Sequence, residues 1–384
     1  MKLQQGKTFS DKLYCTSPFN SLFVQIGGTA SSCCASTYNW GNIKRETVED
    51  IINSDTAKDV RTSVLNGEMT RYCDNCVRQE GFSGTSEREH FSEFLVDTEK
   101  EFELKSLDLR WSNVCNFSCM YCNQDFSSSW AKKKGLKTNT ENLKEQDNIL
   151  SYIEKNNQKI GKIMLAGGEP LLQMQNEKLL DIVSPKTRLT IITNLGVDLK
   201  KSLMFEKISK MKDVLWSISI ENYTDEFEYV RQGGNWQRLL DNINYIRENT
   251  NHDISFLSVF SIFTIENVDK FIRFAESQNI DILWQSIVGN GKALHPEFFS
   301  NNVRKYIVDR LDEIIKMNAS INFNKEYLEG YRLNIIKMMN NDVSYKEVDL
   351  KFRKFIEKNE TLYNSPNTKK FGELWPVLDS IIQK

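Results

Sequence analysis

The feature that most constrains this chain is where its cysteines stop. All eight lie within the first 122 of 384 residues, in three groups: Cys15 with Cys33 and Cys34, Cys73 with Cys76, and Cys115 with Cys119 and Cys122. Cysteines used only as small buried apolar side chains would be scattered along the chain. The opening residues, MKLQQGKTFSDK, contain no apolar core of a secretory signal, and the longest apolar run, near Ile254–Phe263, is too short to cross a bilayer. A soluble, cytoplasmic protein is therefore expected. In that reducing compartment clustered thiols bind metal or do redox chemistry more often than they form disulfides.

Charge narrows the partners. Lys and Arg number 50 against 52 Asp and Glu, for a net charge of −2. Nothing in that balance points to nucleic acid. The one compact basic run, Lys132–Lys134, reads as a solvated loop.

Two composition regimes divide the chain. Residues 1–104 are rich in Ser, Thr, Asn and Gly, with one strong apolar run at Ser21–Gly27, so this segment reads as a small Cys-rich domain stapled by metal. From Ser106 short β-rich runs alternate with amphipathic helical stretches. Strands are expected at 106–112, 162–168, 188–194, 214–221, 254–262 and 282–288, and helices near 142–157, 174–184, 199–211, 235–249 and 266–278. Six such units imply an α/β fold, a partial (β/α)6 TIM-like barrel over 105–295, with chemistry on the loops after the strands. Residues 296–384 read as a helical extension whose amphipathic end, FGELWPVLDSII, docks on the barrel.

The loop LRWSNVCNFSCMYCNQ follows the first strand. Three thiolates spaced as Cys115, Cys119 and Cys122 can converge on one centre. Three ligands to a [4Fe–4S] cube leave one iron open for a substrate or cofactor. A zinc loop would call for paired knuckles or nearby histidine, and neither is here. With Tyr121 before its last cysteine, this motif resembles the CxxxCxΦC signature of the radical S-adenosylmethionine (SAM) superfamily. The resemblance covers about residues 10–290. It implies a cluster whose open iron chelates the methionyl group of SAM, reductive cleavage to a 5′-deoxyadenosyl radical, and hydrogen-atom abstraction from a substrate.

The same resemblance assigns residues at the other strand ends. Tyr121 would pack on the adenine, and Gly167, Gly168 and Glu169 of the AGGEP turn would bind the SAM amino group. Asn194 corresponds to a family TNG element. Ser219 and Glu221 stand where the family uses an S-x-D element near the ribose, with Glu in place of Asp. Arg231 could bind the SAM carboxylate or an anionic substrate, or lie on a solvated helix face.

Upstream, Gly28-x4-Cys33 followed by Cys73-x2-Cys76 resembles the front half of the SPASM/twitch auxiliary-cluster domains. Cys15, Cys33, Cys73 and Cys76 give four thiolates, enough to saturate an auxiliary [4Fe–4S] cluster; a four-thiolate zinc site is the alternative. Cys34 is left over, as an exchangeable ligand, a thiol hydrogen donor or a buried side chain. The connector Arg78–Glu89 links this unit to the barrel. The expected function is radical SAM chemistry on a small-molecule or peptide substrate, by dehydrogenation or peptide modification, with an electron donor of flavodoxin or ferredoxin type. The competing reading is a catalytically inactive electron-transfer or zinc-structured binding protein.

Overall fold

The computed structural model describes residues 2–3, 15–66, 68, 70–83, 86–91, 96–97, 102–137, 147–286, 292–340, 346–362 and 369–383. A two-residue strand, β1 (Lys2–Leu3), pairs antiparallel with β5 (Val96–Asp97), apart from the main sheet. Between them come α1 (Ser17–Asn20), β2 (Ser21–Val24), β3 (Thr29–Ser31), β4 (Gly41–Asn42), α2 (Val48–Ile52), α3 (Asp55–Leu65) and α4 (Thr70–Ser83). The repeating part follows: β6 (Ser106–Leu109), α5 (Ser128–Lys133), α6 (Asp147–Asn156), β7 (Lys162–Leu165), α7 (Met174–Ile182), β8 (Arg188–Thr193), α8 (Leu203–Ile208) and β9 (Val214–Ser219). It continues through α9 (Asp225–Val230), α10 (Trp236–Asn249), β10 (Asp253–Phe260), α11 (Val268–Ser277) and β11 (Ile282–Ser286).

Strands β6 to β11 are the six expected from the sequence, and they lie side by side in chain order, all parallel. This is the partial (β/α)6 barrel. Four of the strands stop two or three residues short of the expected ends and β8 stops one short, because those residues turn into loops. The last two residues of the expected 282–288 strand lie outside the described residues, as does the start of the expected 142–157 helix. The expected 199–211 helix is broken: a 3-10 turn at Leu199–Lys201 precedes α8, whose N-cap Ser202 accepts the Phe205 amide. Alternation explains the two faces. Leu107, Leu109, Ile163, Leu165, Leu189, Ile191, Trp216 and Ile218 are buried, whereas Met164, Thr190, Ile192, Ser219 and Val259 on the opposite set are only half-buried.

The N-terminal segment supplies what the sequence did not reveal. Strand β2 pairs parallel with β6, and β3 and β4 extend the sheet antiparallel to nine strands among the described residues. Leu22, Val24, Trp40, Val48 and Ile51 pack in the same apolar core as the barrel strands. The Ser and Thr residues here do local work: Thr47 forms a capping box with Asp50, and Ser54 caps α3.

The C-terminal residues are helical, as expected: α12 (Asn301–Ile315), α13 (Lys325–Asn340), α14 (Lys346–Leu362), α15 (Phe371–Leu374) and α16 (Pro376–Ile382). The last two dock through Trp375, fully buried against Tyr229, Phe263 and Phe371. Glu266 secures the start of α16 by accepting the Val377 and Leu378 amides at 3.2 and 2.8 Å. Among the described residues no helix is long and apolar enough to cross a membrane.

Candidate active site

The three-cysteine loop leaves β6 and is held from two sides. Ser118 and Met120 donate their amides to the carbonyls of Gln232 and Val230, both at 2.8 Å. On the other side lies α5. The Cys115 carbonyl accepts the hydroxyls of Ser128 and Ser129 at 3.2 and 2.7 Å, and the Trp130 indole N–H donates to the Cys119 carbonyl at 2.9 Å. Phe117, fully buried, anchors the middle of the loop. The run Ser127-Ser128-Ser129-Trp130 was not expected to brace this loop, though a triple serine beside a tryptophan is a visible helix-start signal.

Burial pushes the Cys115 thiol up to about 12, with further opposition from Glu169 and Cys122. Cys119 and Cys122 are also raised, chiefly by burial. For Cys119 the Arg231 charge pulls the other way, and the neighbouring Cys122 and Cys115 add to the rise. Three desolvated thiols need a cation or cluster to be ionised.

The AGGEP turn is stitched to this loop through backbone. The amides of Gly168 and Glu169 donate to the carbonyls of Ser112 and Val114 at 3.2 and 2.7 Å. Gly167 has φ +113, and a Cβ on Gly168 would sit 2.2 Å from the Val114 carbonyl oxygen. No side chain fits there. Glu169 is fully buried, and its carboxylate accepts the Thr193 hydroxyl at 2.6 Å and the amides of Leu171 and Asn194 at 3.1 and 2.8 Å. Burial raises it to about 7 against the pull of these donors. The side chain thus clamps the ends of β7 and β8. Asn194 turns to the cluster loop, its amide nitrogen 2.9 Å from Asn116 Oδ1 and 3.7 Å from Cys115 Sγ.

Tyr121, Glu221 and Arg231, assigned separately from the sequence, meet in one group, with Glu221 and Arg231 buried and Tyr121 half-buried. The Tyr121 hydroxyl donates to Glu221 at 2.9 Å, and the Arg231 guanidinium donates to the other Glu221 oxygen at 2.6 Å while lying 5.4 Å from the Tyr121 ring centre. Burial opposes the Arg231 charge, but Glu221 and then Tyr121 more than restore it. The solvated-face reading of Arg231 is excluded. Ser219 sits half-buried at the end of β9.

Upstream, Cys15, Cys33, Cys73 and Cys76 line a single pocket with Tyr38, Tyr72 and Arg88, and Cys34 does not line it. Helix α4 departs from helical geometry at Cys73 (φ −122, ψ 24), which marks the kink where the CxxC begins. Burial raises Cys15, Cys33 and Cys73 to about 12, and neighbouring thiols of the set add to each rise. Cys34 is raised by burial and then by Glu87 and Asp108, with Arg110 opposing. Asp108 and Arg110, at the end of β6, are themselves paired at 2.9 Å, with Arg110 over the Phe23 ring.

Both donor sets fit iron–sulfur clusters. One offers three thiols beside a side-chain-free cradle, and the other offers four thiols around a pocket. A four-iron cube spreads its ligands wider than a single ion with metal–sulfur bonds near ~2.3 Å. Among the described residues no three Cys, His, Asp or Glu side chains are placed to hold one ion.

A parallel βα sheet bearing a three-cysteine loop and a Gly-Gly-Glu-Pro turn on successive strand ends is the architecture of a SAM-dependent iron–sulfur protein. Residues 109–275 match the radical SAM superfamily, and residues 15–77 match the SPASM iron–sulfur cluster-binding domain. Residues 109–275 thus carry a radical SAM domain, and a SPASM-type segment lies ahead of it. These domains bring their cofactors: SAM, the [4Fe–4S] cluster that binds it, and an auxiliary iron–sulfur cluster.

Among curated relatives, the chain is 27% identical over 243 residues to the radical SAM cyclopropyl synthase TigE of Paramaledivibacter caminithermalis, covering 60% of this chain and 50% of that one. It is 35% identical over 124 residues to the 7-carboxy-7-deazaguanine synthase of Clostridium acetobutylicum, covering 31% and 52%. It is 24% identical over 227 residues to the GTP 3′,8-cyclase of Listeria welshimeri, covering 57% and 63%. The matches thus span between half and under two thirds of these relatives. Among solved structures, Streptococcus suis SuiB bound to SAM aligns over 70% of this chain and 56% of its own at 18% identity, with a TM-score of 0.42.

Proposed function

We propose that this chain cleaves SAM reductively at a [4Fe–4S] cluster held by Cys115, Cys119 and Cys122, and removes a hydrogen atom from a substrate at the inner face of the sheet. In this reading residues 105–295 are the catalytic core, and residues 1–104 hold an auxiliary [4Fe–4S] cluster on Cys15, Cys33, Cys73 and Cys76. The bound cluster supplies the electron for cleavage, and SAM supplies the hydrogen-abstracting group.

The observation that carries the reading is the backbone seam that stitches Gly168–Glu169 to Ser112–Val114, at the root of the three-cysteine loop. The chain's own tasks follow from it. The backbone carbonyls around Gly167 and Gly168 accept from the SAM amino group, while Glu169 holds that turn rigid from beneath. Tyr121, tethered by Glu221 and covered by Arg231, presents a fixed ring to the adenine. Asn194 and Ser219 line the approach from the neighbouring strand ends. The half-buried inner residues Met164, Thr190, Ile192 and Val259 leave room for substrate. The substrate is a small molecule or a peptide, and the outcome is dehydrogenation or peptide modification.

Anaerobic reconstitution tests this. The intact chain is expected to bind about eight irons, falling to about four when either cysteine set is replaced by alanine. With SAM and dithionite it is expected to form 5′-deoxyadenosine. Absence of that product overturns the reading, and zinc in place of the upstream iron overturns the auxiliary cluster.

A further inference from the structure

The helix that braces the cluster loop has a second face. In α5, Trp130 turns inward, 5% exposed, with its indole N–H on the Cys119 carbonyl. The outward side is different. At the end of α5 and in the turns that flank it, Lys132, Lys133, Lys134 and Lys137 are all exposed, and Phe126 and Leu136 beside them are 49% and 50% exposed. Across residues 123–137 these four lysines face one acidic residue, Asp125, in a chain whose net charge is −2. The ammonium groups of Lys133 and Lys134 lie 6.0 and 5.3 Å from the Trp130 ring centre, which orders them along the indole.

We propose that this face of α5 is the docking surface for an acidic one-electron carrier protein that reduces the cluster at Cys115, Cys119 and Cys122. The proposal rests on the function proposed above, since reductive cleavage needs an electron from outside the chain. Three observations on this short helix and its flanking turns point to this partner. A local positive patch on a weakly negative protein steers an acidic protein to one spot. Two exposed apolar side chains amid the lysines match the apolar centre and polar rim of a protein interface. The surface is also one hydrogen bond from a ligand: lysines lie on Trp130, and Trp130 binds the carbonyl of Cys119. Nucleic acid fits less well, because Trp130 is buried and leaves Phe126 as the single exposed ring across residues 123–137, too few for stacking successive bases. A membrane fits less well too, because the helix has six residues and a narrow apolar side.

The test uses the anaerobically reconstituted chain and two variants, Lys132→Glu/Lys137→Glu and Leu136→Ser, with iron counted on each. Oxidised flavodoxin is titrated into each at low and at high salt, and 5′-deoxyadenosine formation is timed with reduced flavodoxin and, separately, with dithionite. The charge reversal is expected to weaken flavodoxin binding by about tenfold or more. It is expected to slow the flavodoxin-driven rate in step and leave the dithionite-driven rate unchanged. Leu136→Ser is expected to weaken binding several-fold at either salt, and decides the matter if the charge reversal loses iron. Flavodoxin binding that is unchanged in both variants, or insensitive to salt in the intact chain, overturns the proposal. So does loss of binding to a single-stranded RNA or an anionic vesicle while flavodoxin affinity stays the same. If dithionite yields no 5′-deoxyadenosine in the intact chain, the catalytic reading fails, and the binding titration still decides the docking surface.

Discussion

Arg231 and Glu221 meet at 2.6 Å where neither side chain is more than 5% exposed. The pair ties the end of β9 to the residue that follows α9, and through Tyr121 it ties both to the cluster loop. A buried ion pair costs much to leave half-made, because the surviving charge stays desolvated. Arg231→Met is therefore expected to lower stability by about 3–5 kcal/mol. Adding Glu221→Gln to it is expected to recover part of that loss. Urea unfolding of the two variants measures both, and equal losses in the single and double variants would refute the pairing as a source of stability.

Gly168 is expected to be the least tolerant position in the SAM cradle. An alanine there drives its Cβ onto the Val114 carbonyl and opens the seam between turn and loop. Gly168→Ala is expected to weaken SAM binding more than tenfold while three cysteines still hold iron. Gly27→Ala is the control: it has φ +95 and open space around the new Cβ, so only left-handed strain of about 1–2 kcal/mol is expected. Equilibrium SAM binding and iron counts separate the two.

The five upstream cysteines should divide four to one. Cys33→Ala is expected to cost the auxiliary iron, about four atoms, while Cys34→Ala keeps it. Before reconstitution, the thiols of Cys15, Cys33 and Cys73, raised to about 12, stay protonated at pH 8. Alkylation of the folded apo-protein by iodoacetamide at pH 8 is then expected to be far slower than that of the urea-unfolded chain. Equal rates would place these thiols in solvent.

Glu226 gives the stability a pH slope. Burial lifts its carboxyl from the ordinary 4.5 to about 7, partly countered by Lys270. The folded chain therefore holds a proton there that the unfolded chain releases, between about pH 4.5 and 7. This contribution to stability is present below that window and is lost as pH rises through it. Glu169, raised in the same direction, adds to the slope. Glu226→Gln is expected to flatten the fall in Tm across this range, and an unchanged slope would assign it elsewhere.

Trp375 anchors the end of the described chain. Fully buried between Phe263, Phe371 and Tyr229, it leaves a large cavity when removed. Trp375→Ala is expected to cost about 3–5 kcal/mol and to expose α15 and α16 to hydrogen exchange before the barrel strands.

How much of this was legible in the sequence depends on the length scale of each signal. Strands such as Lys162–Leu165, ending in Gly-Gly-Glu-Pro, declare themselves within ten residues. The three-cysteine loop does the same. What stayed hidden depends on distant partners. Ser21–Val24 reads as one apolar run, and nothing local says that it pairs with Ser106–Leu109. Tyr121 and Glu221 stand 100 positions apart, so their hydrogen bond has no sequence trace. Glu169 was expected to face SAM, and its geometry adds a structural duty that spacing does not encode. The lysines of α5 read as solvated, and their bearing on the site emerges only with Trp130 turned beneath them.

The parallel pairing of β2 with β6 has a mechanical consequence. The Arg110 amide, five residues before Cys115, donates to the Val24 carbonyl at 2.9 Å, so the two cysteine-bearing segments are rungs of one ladder. Neighbouring strands keep a spacing of about 4.8 Å. The spacing of these two segments at their paired strands is therefore dimensioned by the sheet, like graduations on one ruler. On the proposed function, variation in what the chain accepts falls to the half-buried side chains of the strands, such as Met164, Thr190 and Ile192, and not to the strand spacing.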